Sequence, residues 1–489
     1  MKFRKLALAL LAFVFVLGFA LSVTVKGAVA ADKARYVFLM IGDGMALPQR
    51  NAAEIYMAAS QGQDLKPGIV KLNMSKLPAQ GMCTTYSTNS LITDSAAAGT
   101  ALATGSKTKS GVIAMNAAGE KDLPTIAEMA KAAGMKVGII STVDIDHATP
   151  ACFYAHQPTR KNYYEISMEI ASSGFDYFAG GDVQKPTGSR KDQPSSIEAI
   201  EKAGYKRVTD RASFLALKAG DGRIMAVNPV LDGSKAMPYD MDRTESEITV
   251  AEFTQKGIEL LDNPRGFFMM VEGGKIDWAC HANDAVASIR DTIAFDEAVG
   301  VAMSFYNEHP EETLIVVTGD HETGGMTIGF AGTQYDTFFD KLSGQKISYE
   351  AFDKVLAEYK KSVDPKNARL EDIMPKIQKF FSLGELKDYE LKQLEDSFAQ
   401  SMMGKEERAS DDQTYLLYGG YEPLTISITH ILNQKAGLAW TSYAHTGVPV
   451  PVSAIGVGAD NFNGYYDNTD VFFKMVQAMG VEGLQLASR

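Results

Sequence analysis

Residues 36–44 read YVFLMIGDG, an apolar, β-prone run that ends in a glycine and an acid. Two later stretches have the same form, GFFMMVE at residues 266–272 and TLIVVTGDH at residues 313–321. Such runs are typical of the buried strands of a parallel sheet, and ligands bind beyond the carboxyl ends of these strands. The polar side chains that end the three runs should therefore converge on one crevice: Asp43, Glu272, Asp320 and His321. Because carboxylates held close together repel, cations must lie among them, and the histidine favours transition metals.

Strand-like and helical patterns alternate from residue 35 to about residue 330, which predicts an α/β fold with a central, mostly parallel sheet flanked by helices on both faces. Residues 331–425 are charged and helix-favouring, so we expect a helical insertion late in the chain. A single α/β domain over residues 31–489 then contains this insertion. The predicted strands span residues 36–41, 136–141, 176–179, 224–227, 266–271, 313–317 and 452–457.

The first thirty residues have the form of a signal peptide. Three basic residues within the first five positions precede an apolar stretch at residues 6–25 and an Ala-Val-Ala sequence at residues 28–30. This pattern predicts export, with the protein periplasmic or secreted after cleavage. The apolar stretch is also long enough to serve as a membrane anchor if it is left uncleaved.

The charge and the cysteines exclude two classes of function. A net charge of −12 at pH 7 argues against binding to a nucleic-acid backbone. The three cysteines, Cys83, Cys152 and Cys280, cannot all pair within one chain and lack the close spacing of a thiolate zinc site. We therefore expect Cys83 and Cys152 to act mainly as small buried apolar residues.

Residues 93–105, TDSAAAGTALATG, predict a helix that begins near Ser95 and ends before Gly105. At the start of a helix, backbone N–H groups and the helix dipole favour a bound anion, so Ser95 can attack a phosphate held there. The simpler interpretation is that Asp94 or Ser95 only caps the helix. A Walker-type phosphate loop is absent because Ser106 stands where its lysine would be required.

Three further histidine-containing segments supply candidate metal ligands. Asp277 and His281 are spaced i, i+4, which places both on one face of a helix. His321 begins HETGG, without the second histidine of a helical zinc protease site, and His445 lies in a loop of small residues. Taken one at a time, a solvent-facing pair at a helix start and a surface histidine explain Asp277, His281 and His445 equally well.

Taken together and in order, the segments resemble the bacterial alkaline phosphatases over residues 35 to about 330 and 425 to 460. The segments that carry the resemblance are GDGM at residues 42–45, TDSAA at 93–97, EGGKID at 272–277, TGDHETGG at 318–325 and HTG at 445–447. The resemblance implies a phosphomonoesterase that uses two zinc ions and a third metal, usually magnesium, with phosphate monoesters as substrates. It also implies inhibition by the product, inorganic phosphate, and a possible homodimer.

The resemblance assigns a role to each matching residue. It gives the first zinc to Asp277, His281 and His445, the second to Asp43, Asp320 and His321, and the third metal to Asp43, Thr149 and Glu272. Ser95 matches the nucleophile that becomes phosphorylated. Arg160, eleven residues after Thr149, matches the arginine that grips the phosphate, and Asp94 would orient it.

Two positions depart from some family members and leave the third metal open. His147 and Trp278 stand where those members have an aspartate and a lysine. His147 can bind the third metal directly or through water, so zinc and cobalt compete with magnesium there. Rival functions are a phosphodiesterase, a sulfatase, and an exported protein that only binds metal or phosphate. SAAA at residues 95–98 does not fit the sulfatase pattern.

Overall fold

The computed structural model describes residues 33–63, 66, 68–404, 408 and 411–482. The predicted signal peptide at residues 1–30 lies outside the described residues. Within them, no helix combines the length and the apolar character needed to cross a bilayer.

Ten strands form one central sheet in the order β14-β2-β13-β8-β1-β7-β3-β4-β6-β5, with two further two-stranded sheets, β10-β11 and β12-β9. The strands are β1 Tyr36–Gly42, β2 Ala79–Thr84, β3 Lys136–Ser141, β4 Tyr177–Gly180, β5 Tyr205–Val208, β6 Arg223–Val227, β7 Phe267–Gly273, β8 Thr313–Gly319, β9 Glu322–Thr323, β10 Thr327–Ile328, β11 Leu438–Ala439, β12 His445–Thr446, β13 Val450–Gly456 and β14 Gly464–Asp467. Within the central sheet only β13 runs antiparallel to its neighbours, β2 and β8. The predicted mostly parallel α/β sheet is confirmed.

Helices connect the strands and cover both faces of the sheet. They are α1 Leu47–Ser60, α2 Asn73–Lys76, α3 Ser95–Thr104, α4 Ile126–Ala132, α5 Ala148–Ala151, α6 Tyr163–Ser173, α7 Ser196–Lys202, α8 Arg211–Leu215, α9 Val250–Leu261, α10 Lys275–His281, α11 Ala285–Glu308, α12 Tyr349–Ser362, α13 Leu370–Phe381, α14 Asp388–Met402, α15 Asp412–Tyr418, α16 Pro423–Ala436 and α17 Asn468–Met479. Short 3-10 turns lie at Asp240–Asp242, Phe339–Gly344 and Ala459–Phe462.

Strand β1 shows why the apolar runs of the sequence are continuous. Phe38 and Met40 pack into the core on one face of the sheet, with α1, α9 and α11. Val37, Leu39 and Ile41 pack into the core on the other face, with α3, α4, α6 and α17. A strand that is covered on both faces has no position for a polar side chain until it ends. Each large apolar side chain buried in this way stabilises the fold by ~1.5–3 kcal/mol.

The late helical segment joins the same core. Leu356, Ile373, Ile377 and Leu394, on α12, α13 and α14, belong to the apolar cluster that covers one face of the sheet. The predicted helical character of residues 331–425 is confirmed, since the segment's described residues form four helices and a 3-10 turn.

The sequence prediction missed three strands of the central sheet. β2 alternates buried and partly exposed residues, while β5 and β14 are the two edge strands. Strands at or near a sheet edge are only partly covered, so they lack the continuous apolar run by which the inner strands were recognised.

Candidate active site

The strand ends bring the acidic residues together. Gly42 at the end of β1 pairs in register with the terminal glycines of both neighbouring strands, β7 and β8. Asp43, Glu272 and Asp320 therefore lie at the same edge of the sheet, and all three are buried. The parallel pairing of three strands alone is enough to form an acidic crevice there.

Asp277, His281 and His445, which the resemblance assigns to the first zinc, lie together and form what we call the first metal group. The ligand atoms of Asp277 and His445 also lie within 4.8 Å of that of His321. The Nε2 atom of His281 lies 3.3 Å from an oxygen of Asp277 and 3.2 Å from Nε2 of His445, which is 3.6 Å from the other Asp277 oxygen. The Nδ1 atoms face backbone carbonyls, of Tyr443 at 2.6 Å and of Thr93 at 2.8 Å. A carbonyl only accepts hydrogen bonds, so each Nδ1 carries a proton, and with a metal bound each Nε2 would present its lone pair to the ion.

A second metal group consists of Asp43, Asp320 and His321. The Nε2 atom of His321 lies 3.3 Å from Asp43 and 3.2 Å from Asp320. The hydroxyl of Ser95 is 3.2 Å from the same Nε2 atom. The ring of His321 stacks on that of His445 with centroids 3.6 Å apart, so the first and second groups adjoin.

A third group consists of Asp43, His147 and Glu272, whose ligand atoms lie within 4.8 Å of one another. The hydroxyl of Ser141 donates to one oxygen of Glu272. The fully buried hydroxyl of Thr149 is close enough to lower the pKa of Glu272, yet it forms no well-aligned hydrogen bond within the described part of the chain.

In the metal-free protein, burial and mutual repulsion disfavour the ionised form of most acidic side chains in the crevice. Burial, followed by the charges of neighbouring carboxylates, raises the pKa values of Asp43 and Asp320 well above the ordinary range. Burial likewise raises the pKa of Glu272 to about 7. Burial also acts to raise the pKa of Asp277, but the charge and hydrogen bond of His281, with smaller effects of His445 and His321, outweigh it and hold this pKa well below its usual range. Asp277 in turn outweighs the burial of His281 and raises the pKa of that imidazole to about 9.

The donor set fits divalent cations. Both oxygens of Asp43 and one oxygen each of Glu272 and Asp320 are buried without a hydrogen-bond partner among the described residues. Unpaired buried carboxylate oxygens cost free energy that a bound cation offsets. The histidine-containing first and second groups suit zinc, while the third group mixes hard oxygen donors with His147.

The backbone around Ser95 is fixed by its neighbours. Asp94 is the N-cap of α3, and its side chain accepts a hydrogen bond from the backbone N–H of Ala97 at 3.0 Å. The helix ends at Gly105, whose φ of 68° is left-handed. Ser95 is therefore the first residue of a capped helix, with its buried hydroxyl directed at the second metal group.

Arg160 lies beside the N-cap of the helix that carries Ser95. Its guanidinium donates to Asp94 at 3.1 Å and to Nε2 of His147 at 3.0 Å. Its backbone N–H donates to the carbonyl of Gly111 at 2.7 Å. The ring of His147 also meets the edge of Trp278, with centroids 5.9 Å apart. Burial, and then the charge of Arg160, lower the pKa of His147 to about 3, so this imidazole is neutral.

The structure brings every candidate site residue of the sequence analysis into this one crevice. It adds partners that no sequence pattern indicated, among them Thr323, whose hydroxyl donates to Asp277 at 2.5 Å, and Ser141 beside Glu272. His156 instead bridges Glu128 and the carbonyl of Ala114, away from the metal groups. The three cysteines are buried and free.

Comparisons with known proteins agree with this geometry. The sequence profile of the family described as alkaline phosphatase matches residues 34–176 and 173–481. Alkaline phosphatase 4 of Bacillus subtilis is 33% identical over 460 residues, which cover 91% of this chain and 90% of the relative. The cold-active alkaline phosphatase of a psychrophilic Shewanella superposes with a TM-score of 0.74 at 30% identity, over 91% of this chain and 99% of the other. The Thermus thermophilus alkaline phosphatase gives 0.75 at 25% identity, over 94% and 95%.

Proposed function

The chain belongs to the alkaline phosphatase family and is a metal-dependent phosphomonoesterase, and we propose that it acts through a phosphoserine formed on Ser95, with two zinc ions and Arg160. The observation that carries the proposal is the position of the Ser95 hydroxyl, 3.2 Å from His321 in the second metal group and at the first turn of a capped helix.

The three groups would hold three cations. Asp277, His281 and His445 would bind one zinc, and Asp43, Asp320 and His321 the other. Asp43 and Glu272, with Thr149 and His147, would bind a magnesium ion, for which zinc and cobalt are competitors. A variant of the alkaline phosphatase of the Antarctic bacterium TAB5 is described with Mg in its M3 site. When bound, the cations would neutralise negative charge on the attacking, leaving and equatorial oxygens of the phosphoryl group.

The residues of the chain have separate roles in this reaction. Ser95 passes its proton to solvent water and its oxygen attacks phosphorus. The bond between phosphorus and the alcohol oxygen breaks, and the alcohol leaves after taking a proton from solvent. A second water attacks the phosphoserine, restores the serine and releases inorganic phosphate. Arg160 offers two N–H groups in one plane to two phosphate oxygens, which a lysine cannot do. Asp94 holds this arginine through its carboxylate.

Other features remain part of the proposal. The first thirty residues would direct export to the periplasm or beyond, or anchor the protein in a membrane if they are not removed. Inorganic phosphate should inhibit, since it makes the same contacts with Arg160 as the substrate does. We also propose that the protein forms a homodimer and does not bind nucleic acid.

The test is the replacement of Ser95 by alanine, assayed with a chromogenic aryl phosphate in the presence and absence of a chelator. We expect Ser95→Ala to lower kcat by several orders of magnitude while both zinc ions are retained, as measured by metal analysis. Ser106→Ala, just beyond the end of the same helix, is the matched control and should keep normal turnover. Nearly normal turnover by Ser95→Ala would reject the serine as the nucleophile, and a wild-type protein without turnover would reject the proposal as a whole.

A further inference from the structure

The helical insertion is linked by hydrogen bonds to a ligand of the first metal group. His281 donates from Nδ1 to the carbonyl of Tyr443 at 2.6 Å. The hydroxyl of the same tyrosine donates to the carbonyl of Leu417, on α15, at 2.6 Å. Two hydrogen bonds in series therefore fix α15 relative to the first metal group. Because the second group adjoins the attacking Ser95, the first group would face the alcohol oxygen of the substrate.

Aromatic rings surround this link. The ring of Tyr443 lies 6.2 Å from that of Tyr415 on α15 and 6.3 Å from that of Tyr421, which directly precedes α16. His430 stacks on another side of Tyr443 at 6.0 Å, and Tyr349 meets Tyr421 edge-on at 5.8 Å. These separations are within the range in which aromatic pairs attract each other. The three tyrosines Tyr415, Tyr421 and Tyr443 form what we call the tyrosine wall.

The tyrosine wall is near the reacting groups and partly open. The backbone carbonyl of Tyr443 accepts directly from the metal-group residue His281 at 2.6 Å, and the ring of Tyr421 lies 6.3 Å from that of Tyr443. Tyr415 is 55% exposed and its neighbour Leu416 is 76% exposed. Tyr415 and Tyr421 also line a cleft of about 700 Å³ within the insertion.

Two exposed apolar side chains, Leu91 and Val448, lie close in the chain to Ser95 and His445. Leu91 is 84% exposed and precedes the nucleophile helix by only a few residues, and Val448 follows His445 closely and is 45% exposed. The two segments are in contact, because a side chain added at Gly447 would lie 3.6 Å from the carbonyl oxygen of Leu91. Exposed apolar residues thus belong to the segments that carry Ser95 and His445 as well as to the insertion.

We propose that the tyrosine wall selects the alcohol moiety of the substrate and favours phosphate monoesters of aromatic and other apolar alcohols. This inference rests on the proposed function and adds a substrate class to it. The phosphate is gripped by charged groups that treat all monoesters alike, so discrimination must come from contacts with the alcohol. An apolar group that leaves water and packs against Tyr415 and Tyr421 gains burial and ring contacts that a methyl group cannot make.

The first test compares phenyl phosphate with methyl phosphate in Tyr415→Ala. We expect the ratio of kcat/KM for the phenyl ester to that for the methyl ester to fall about three- to tenfold, the loss of one aromatic contact. Using the ratio cancels the intrinsic reactivity of the two esters. Tyr389→Ala is the matched control, since Tyr389 is an exposed tyrosine on another helix of the insertion, α14, and its ratio should stay at the wild-type value.

A second test avoids the chemical step. Phenylphosphonate and methylphosphonate cannot be hydrolysed, and their inhibition constants should differ less in Tyr415→Ala than in the wild type, by the same factor as the substrates. Tyr443→Phe keeps the ring but loses the hydrogen bond to Leu417, and we expect it to lose part of the discrimination.

The outcomes separate the two proposals. A wild-type protein that hydrolyses both esters but has the same ratios and inhibition constants after Tyr415→Ala and Tyr443→Phe would overturn the tyrosine wall and leave the proposed function standing. A wild-type protein that hydrolyses neither ester would overturn the proposed function and the substrate class together.

Discussion

Replacing Asp94 should separate the capping of the nucleophile helix from the positioning of Arg160. One oxygen of this carboxylate accepts from the N–H of Ala97 at 3.0 Å. The other accepts from the N–H of Gly111 at 2.9 Å and from the guanidinium of Arg160 at 3.1 Å. In Asp94→Asn, the amide oxygen can still cap the helix, but the NH₂ group then faces two donors. Asp94→Ala removes all three hydrogen bonds.

The expected magnitudes follow from this geometry. The helix cap is worth about 1 kcal/mol, and asparagine caps as well as aspartate does. The ion pair between Asp94 and Arg160 is about a quarter exposed on each side, so solvent screening limits its contribution to about 1 kcal/mol. Asp94→Asn should thus destabilise the fold by about 1 kcal/mol, and Asp94→Ala by about 2 kcal/mol. A freed Arg160 should lower kcat/KM by about tenfold in both variants.

The measurements are kcat/KM, the inhibition constant of phosphate and the melting temperature. Both variants should raise the inhibition constant by a factor close to their loss in kcat/KM, while only Asp94→Ala should show the full loss of stability. Asp210→Asn is the control, because Asp210 caps α8 through the N–H of Ser213 and has no arginine to position. An Asp94→Asn enzyme that keeps both kinetic constants within twofold of the wild type would refute the positioning role.

Three further predictions test the site and its support. Arg160→Ala should slow the reaction by about 10² to 10³ and weaken inhibition by phosphate, and an unchanged inhibition constant would show that another group grips the anion. Burial raises the pKa of Glu272 from an ordinary 4.5 to about 7, so the metal-free folded protein holds a proton on this residue that the unfolded chain releases. The contribution of Glu272 to stability should therefore fall by about 3 kcal/mol as pH rises from 4.5 to 7 in chelator-treated samples. Glu272→Gln should reduce the slope of that part of the profile by this amount, and equal slopes in thermal melts would contradict the reasoning. Lys275 is fully buried and its ammonium lies 2.8 Å from Asp232. Lys275→Met should therefore lower the free energy of unfolding by about 3 kcal/mol in chemical denaturation, whereas Lys354→Met, at an exposed pair, should lower it by less than about 1 kcal/mol. Similar losses in both variants would exclude a special role for the buried pair.

The inner strands and their acidic ends could be predicted because their signals are local. A strand covered on both faces must be apolar along its whole length, as residues 36–41 and 313–317 are, and the first polar residue marks its end. The helix that carries Ser95 was predictable for a similar reason, since its alanines, its cap and its final glycine lie within a dozen positions. The three edge-side strands β2, β5 and β14 gave no such signal because they are only partly buried.

The sequence by itself determined the fold class, the helical character of residues 331–425 and the residue types that gather at the strand ends. Only the tertiary structure decided which imidazole nitrogens face the metal groups, because the carbonyls of Tyr443 and Thr93 that fix them come from distant parts of the chain. It alone also packed Tyr415 and Tyr421 of the insertion against Tyr443, whose carbonyl accepts a hydrogen bond from His281. Composition and periodicity report how a residue is buried within its own element, whereas a contact between residues hundreds of positions apart depends on how the whole chain packs.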